Sequence, residues 1–280
     1  MMNDLFRTLP LLTAAALLTA CSTEVPPMPP APTAALSVAA IRSDSDQRFS
    51  VLLDGATGND IFATYATDRP SPRGGNFTRR MNFTGVAWDD ARSATLVSPE
   101  HVVMAAHYAR AVGTPLVFHD RRGRPQRRVV AAVVSLAGLA DVTVGRLDSP
   151  LPDSVRPYRL LPPSAGYSGL EGCLAVVTDQ RRKAFIHEIG TVSGNGIHFR
   201  LPAASRVPAH LTKRLVSGDS GNPSFLLVGG ELVLIETHTA GGPGAGPFLS
   251  APPVFAAING AMSKLGGGQQ LRTVPLAGGL

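Results

Sequence analysis

Short apolar runs, each cut off by glycine, proline or small polar residues, recur through most of this chain and leave little room for long helices. A first group lies at residues 83–88, 94–97, 101–104, 116–119, 129–135 and 142–147. A proline-rich crossing over residues 149–163 separates it from a second group at 173–178, 184–192, 196–201, 223–228 and 231–237. Runs of this length, rich in β-branched and aromatic residues and bounded by turn formers, read as strands. The 29 glycines and 24 prolines among 280 residues supply the turns, and a 44% hydrophobic content is ample for a core. Only residues 253–265 (PVFAAINGAMSKL) repeat their apolar side chains at helical spacing. No internal repeat is visible. The pattern predicts an all-β protein of two packed barrels closed by a C-terminal helix.

Charge narrows the choice of partners. The formal net charge is +6, with basic clusters at Arg121, Arg122, Arg124, Arg127 and Arg128 and at Arg181, Arg182 and Lys183. Few aromatic residues interleave with them and no nucleic-acid motif accompanies them, so they read as solvated loops. An anionic membrane surface is the other reading; a nucleic-acid partner is not expected. Two cysteines, Cys21 and Cys173, rule out a disulfide framework. His187, His198 and His210 lack metal-ligand spacing, so neither a metal nor a cofactor is expected.

The N-terminus reads as an address. After Arg7, the stretch LPLLTAAALL (residues 9–18) has the length of a signal-peptide apolar region and is too short to span a bilayer. It runs into Leu18-Thr19-Ala20-Cys21, which resembles the bacterial lipobox. That resemblance implies removal of residues 1–20, diacylglycerol on the Cys21 thiol, and a lipid-anchored protein of the bacterial cell envelope. Ser22, in place of an aspartate, favours the outer over the inner membrane. Residues 21–45 are rich in proline and small side chains and read as an extended tether. The folded part is expected over 46–268, with 269–280 as a tail.

Three segments carry chemistry. Covalent acyl transfer needs an activated hydroxyl, an imidazole base, a carboxylate to orient it, and backbone donors for the oxyanion. Ser217-Gly218-Asp219-Ser220-Gly221-Asn222-Pro223 is a glycine-flanked serine turn, and glycine allows the backbone to aim N–H groups into one small pocket. SATLVSPEHVVMAAHY (residues 93–108) presents His107 after a strand–turn–strand, and LADVTVGRL (residues 139–147) opens an apolar strand with Asp141. Asp120 and Asp148 are rivals of Asp141 but sit among polar turn residues.

In the order His, Asp, Ser, these segments resemble the chymotrypsin/trypsin-like serine proteases over residues 83–265. The resemblance implies two packed six-stranded antiparallel β-barrels with a C-terminal helix, barrel one ending near residue 148 and barrel two beginning near 164. It implies a triad of His107, Asp141 and Ser220 with a buried Asp141, and an oxyanion hole from the amides of Gly218 and Ser220. The expected activity is that of a monomeric endopeptidase acting on peptides or proteins through an acyl-enzyme.

The chain departs from the pattern in places. Asn222 replaces a glycine, and Tyr108 stands where many members have a cysteine. No Ile-Val-Gly-Gly-like activation sequence is present, so Asp219, which pairs with a freed N-terminus in zymogen-activated relatives, needs another donor; Lys213 and Arg214 are the candidates. In the segments that line the S1 pocket of such enzymes stand Arg214, His238, Thr239 and Gly241. None is acidic, which predicts acidic or small P1 residues. The alternative is a catalytically silent lipoprotein using the fold as a binding module. An esterase has little support, because there is no Gly-x-Ser-x-Gly elbow.

Overall fold

A computed structural model describes residues 27–277 apart from 33, 69–70, 73–75 and 165. The apolar runs form strands close to where the sequence puts them. After a two-strand pair, β1 (Phe62–Thr64) and β2 (Ser71–Pro72), come β3 (Val86–Ala87), β4 (Ala94–Leu96), β5 (His101–Met104), β6 (Pro115–His119), β7 (Pro125–Ser135) and β8 (Thr143–Leu147). These six make one antiparallel sheet in the order β3-β4-β5-β8-β7-β6. Beyond the crossing lie β9 (Leu174–Thr178), β10 (Ala184–Ser193), β11 (Gly196–Arg200), β12 (Pro223–Val228), β13 (Glu231–Thr237) and β14 (Ala245–Pro247). They form a second antiparallel sheet, β13-β12-β9-β10-β11-β14. One sheet curls into a nearly closed barrel and the other into a half-barrel, so the expected all-β architecture with its C-terminal helix holds.

Burial explains the curl. Every residue of β4, β5, β9 and β12 is buried, whereas β7 alternates exposed and half-buried positions with one face in water. Leu96, Val102, Met104, Leu116, Phe118 and Leu147 fill the inside of the first sheet. A larger core fills the second and runs through the junction, where the Tyr158 and Phe225 rings meet at 4.6 Å. Helix α2 (Pro252–Leu265) returns to the first sheet, and Arg146 Nη1 donates to the Leu265 carbonyl at 3.0 Å.

The tether and tail need correction. Residues 38–53 form a helix, α1 (Val38–Leu53), capped by the Ser37 side chain, which accepts from the Ala40 N–H at 3.2 Å. Its inward face is Ile41, Ser45, Arg48, Phe49 and Leu52, all buried. Arg48 pairs with Asp44 at 2.9 Å and donates to the Pro29 and Pro30 carbonyls at 2.8 Å each, holding the proline segment against the body. Leu36 bridges to Leu276, so the described part of the C-terminal stretch is built in as well. Residues 1–20 and Cys21 lie outside the described residues. No helix among the described residues is long and apolar enough to cross a membrane.

Candidate active site

Strand register brings the first two chemical segments together. His101 pairs with Arg146 and Met104 with Thr143, so the chain leaving β5 meets the chain entering β8. There the Ala106 N–H donates to the Asp141 carbonyl at 3.3 Å and the His107 N–H to Asp141 Oδ1 at 3.0 Å. The other carboxyl oxygen, Oδ2, takes the His107 ring at Nδ1, 2.5 Å away. This contact holds Nδ1 as the protonated nitrogen and leaves Nε2 free to accept. The expected burial of Asp141 is corrected: its side chain is 32% exposed and that of His107 48%, because the loop before β8 lies at the rim of the sheet.

Ser220 comes from the second sheet. Pro223 pairs with Thr237, placing the serine turn beside His238, whose carbonyl accepts from the Gly221 N–H at 2.8 Å. Ser93, just before β4, ties this turn to the first sheet through a 2.8 Å hydrogen bond from its hydroxyl to the Gly221 carbonyl. A side chain at Gly221 would lie 3.6 Å from Ala105 Cβ, so the serine turn packs against the segment carrying His107. No hydrogen bond joins Ser220 to His107. Such contacts are commonly long without substrate and tighten when it binds.

The amides of Gly218 and Ser220 take no partner among the described residues. Gly218 adopts φ +93, a left-handed conformation, and a Cβ there would lie 2.5 Å from Gln180 Oε1. The left-handed backbone is what calls for glycine here; the Gln180 amide, at the end of a flexible side chain, could move aside.

A buried ionic chain underlies this turn. Lys213 Nζ lies 2.6 Å from Asp179 and 3.0 Å from Asp219, whose side chains are each 1% exposed. Asp219 also accepts from the Val216 N–H at 2.8 Å and the Gln180 N–H at 3.3 Å. Burial works to raise the Asp219 carboxyl, but the Val216 amide and the Lys213 ammonium outweigh it and hold it below its ordinary value. Of the two sequence candidates, Lys213 is the donor; Arg214 remains exposed, with no ion-pair partner among the described residues.

In comparisons with known proteins, no family model matches this chain and no curated protein shows significant similarity to it.

The remaining expected pocket residues divide. The backbone bridge of Leu215 to Gly242, at 2.7 and 2.9 Å, ties the Arg214 segment to the Gly241 segment. A Cβ on Gly241 would come within 3.1 Å of the Leu215 carbonyl, so these walls stand close. The Thr239 hydroxyl donates to the Ala245 carbonyl at 3.3 Å. His238 is 1% exposed and faces inward: Nε2 meets the Thr178 carbonyl at 3.1 Å, and Nδ1 lies 2.6 Å from Glu236 Oε1, though out of hydrogen-bonding line. Sequence reasoning missed Ser93, Asp179, Gln180 and the role of Asn222. Asn222 is buried, and its amide donates to the Asp219 carbonyl at 3.0 Å. Only Asn222 had a visible signal, as a departure inside a motif.

Proposed function

We propose that the chain is an exported serine endopeptidase of the chymotrypsin/trypsin-like type. The observation that carries this reading is the 2.5 Å contact between His107 Nδ1 and Asp141 Oδ2, beside a serine turn whose Gly218 and Ser220 amides remain free. In the first half-reaction Ser220 Oγ attacks the scissile carbonyl and its proton passes to His107 Nε2. The oxyanion takes hydrogen bonds from the two amides. The C–N bond then breaks as His107 returns the proton to the leaving amine. Water repeats the sequence on the acyl-enzyme and restores the serine. Asp141 holds the imidazole in the tautomer this needs. Lys213 supplies the cation for Asp219, so no freed N-terminus is required.

An acidic P1 residue is favoured by Arg214, a small one by the close walls at Leu215 and Gly241; His238, with both nitrogens turned inward, supports the acidic reading less. The substrate is a peptide or protein, and a lipid on Cys21 would hold the enzyme, as a monomer, at the bacterial envelope.

Reaction with a fluorophosphonate probe, abolished in Ser220→Ala, tests the nucleophile. A folded wild-type chain that neither labels nor cleaves a peptide library would instead be the silent binding module. Mass spectrometry of the mature N-terminus should find acylated Cys21, and Cys21→Ser should leave the membrane fraction.

A further inference from the structure

An excess of positive charge lies in a cleft of about 390 Å³ where the crossing between the sheets meets the C-terminal segment. Five arginines line it from separate stretches of chain: Arg80 at the end of the short 3-10 helix Phe77–Arg80, Arg121 from the β6–β7 turn, Arg156 and Arg159 from the crossing, and Arg272 after α2. Two carboxylates, Asp153 and Glu231, share the cleft. The ion pair among these groups is a loose one, Arg159 to Glu231 at 3.9 Å. Among the described residues Arg80, Arg121, Arg156 and Arg272 have no carboxylate partner.

Several arginines outside the cleft are paired or capped. Arg110 pairs with Asp89 at 3.0 Å, Arg124 with Asp120 at 2.6 Å and Arg146 with Glu100 at 3.1 Å, while Arg128 caps the Pro150 carbonyl at 2.7 Å. The basic cluster at 121–128 is thus several different things: Arg121, Arg122 and Arg127 have no carboxylate partner among the described residues, and of these Arg121 joins the cleft. Arg121, Arg156 and Asp153 also line an adjoining hollow of about 350 Å³, which extends the positive surface.

Exposed arginines gathered in a concavity repel one another and add nothing to the core. Low-dielectric walls concentrate their field on whatever enters. Guanidinium forks match phosphoryl oxygens two by two, so several forks around one hollow suit clustered phosphates better than a lone carboxylate. The volume is at the lower end for small-ligand sites. The aromatic residue of the cleft, Tyr158, is buried and spends its hydroxyl on the Asn82 carbonyl at 2.9 Å, which leaves no ring for a base to stack on. We propose that this cleft binds a compact anion carrying clustered phosphate groups, supplied either free as an oligophosphate or on a phosphorylated lipid headgroup.

The test uses the full chain with Cys21→Ser, which removes the expected anchor. Calorimetric titration with tripolyphosphate should give saturable one-to-one binding that weakens with salt and is at least about tenfold tighter than with orthophosphate. Arg156→Ala with Arg272→Ala should weaken it at least about tenfold without moving the melting temperature, while Arg127→Ala on β7 should leave it unchanged. If the source is a lipid, the chain should sediment with phosphatidylcholine vesicles only when a phosphatidylinositol bisphosphate is included, and the same double variant should abolish this. Failure of both probes to bind, or binding equally strong in the double variant, would overturn the proposal. Equal loss in Arg127→Ala would also overturn it, by showing a diffuse surface charge.

Discussion

On the first sheet the His107–Asp141 pair rests on two hydrogen bonds at a rim, with a third to a half of each side chain in water. On the second sheet Asp219, next to Ser220, is 1% exposed and is fixed at once by Lys213, Val216 and Gln180. The contrast fits the chemistry proposed for each side. Oxyanion donors help only if they need not reorganise as charge develops, so their turn is over-determined. In the proposed reaction the imidazole passes a proton from one partner to another, and one oriented hydrogen bond leaves it that freedom.

Lesions on the two sides should therefore differ in kind. The largest effects are on rate: Ser220→Ala and His107→Ala should each lower kcat by about 10⁴ or more, and the double variant should be hardly worse than either. Asp141→Asn should come close in kcat yet cost less than about 1 kcal/mol of stability, because the pair it disrupts is solvated. Parallel kinetics and denaturant melts would test this, and a Ser220→Ala chain that folds and hydrolyses peptides normally would refute the assignment.

Lys213→Met should behave oppositely, losing stability and activity together. It strands two buried carboxylates, at a cost of about 3–5 kcal/mol. A variant that keeps wild-type stability but loses turnover would break the distinction.

Acid sharpens it further. Burial lowers the His187 imidazole to about 4 from its ordinary 6.5, and burial also lowers His101 and His119. The fold holds these rings neutral, so their contribution is complete above pH 6.5 and drains away as pH falls below it, for His187 down to about 4. For His187 this amounts to roughly 3 kcal/mol. Asp219, lowered in the fold, keeps its contribution through that window and loses it only below the ordinary carboxylate range. Stability measured against pH should fall between 6.5 and 4 and flatten in part in His187→Leu. The smallest effect is expected for Ser93→Ala, about 1 kcal/mol from one buried hydrogen bond, with a modest drop in kcat as the serine turn loosens.

The strands bearing the site were legible because β-branched runs between turn formers leave one reading. α1 was not, since two of its five inward positions are Ser45 and Arg48 and blur its apolar stripe. Strand β14, three residues of Ala-Gly-Pro, carries no strand signal at all and exists through its pairing with β11. His107 and Asp141 could be found because the order of local motifs identifies them. In the Asp179–Lys213–Asp219 chain, Lys213 was one of two donors the sequence offered for Asp219, but Asp179 was not visible, because it is brought there only by the pairing of β9 with β12 and by the turn that follows β9.

The grip of Arg48 on Pro29 and Pro30 sets the length of a leash. If Cys21 carries the proposed lipid, the grip of the body at Pro29 leaves no more than eight residue steps to it, a reach of roughly 30 Å even when fully drawn out. A free tether through residue 45 would have reached roughly 85 Å. On the proposed function, an enzyme so closely moored would sweep a thin layer above its membrane, and its substrates would have to come to that surface or already live there.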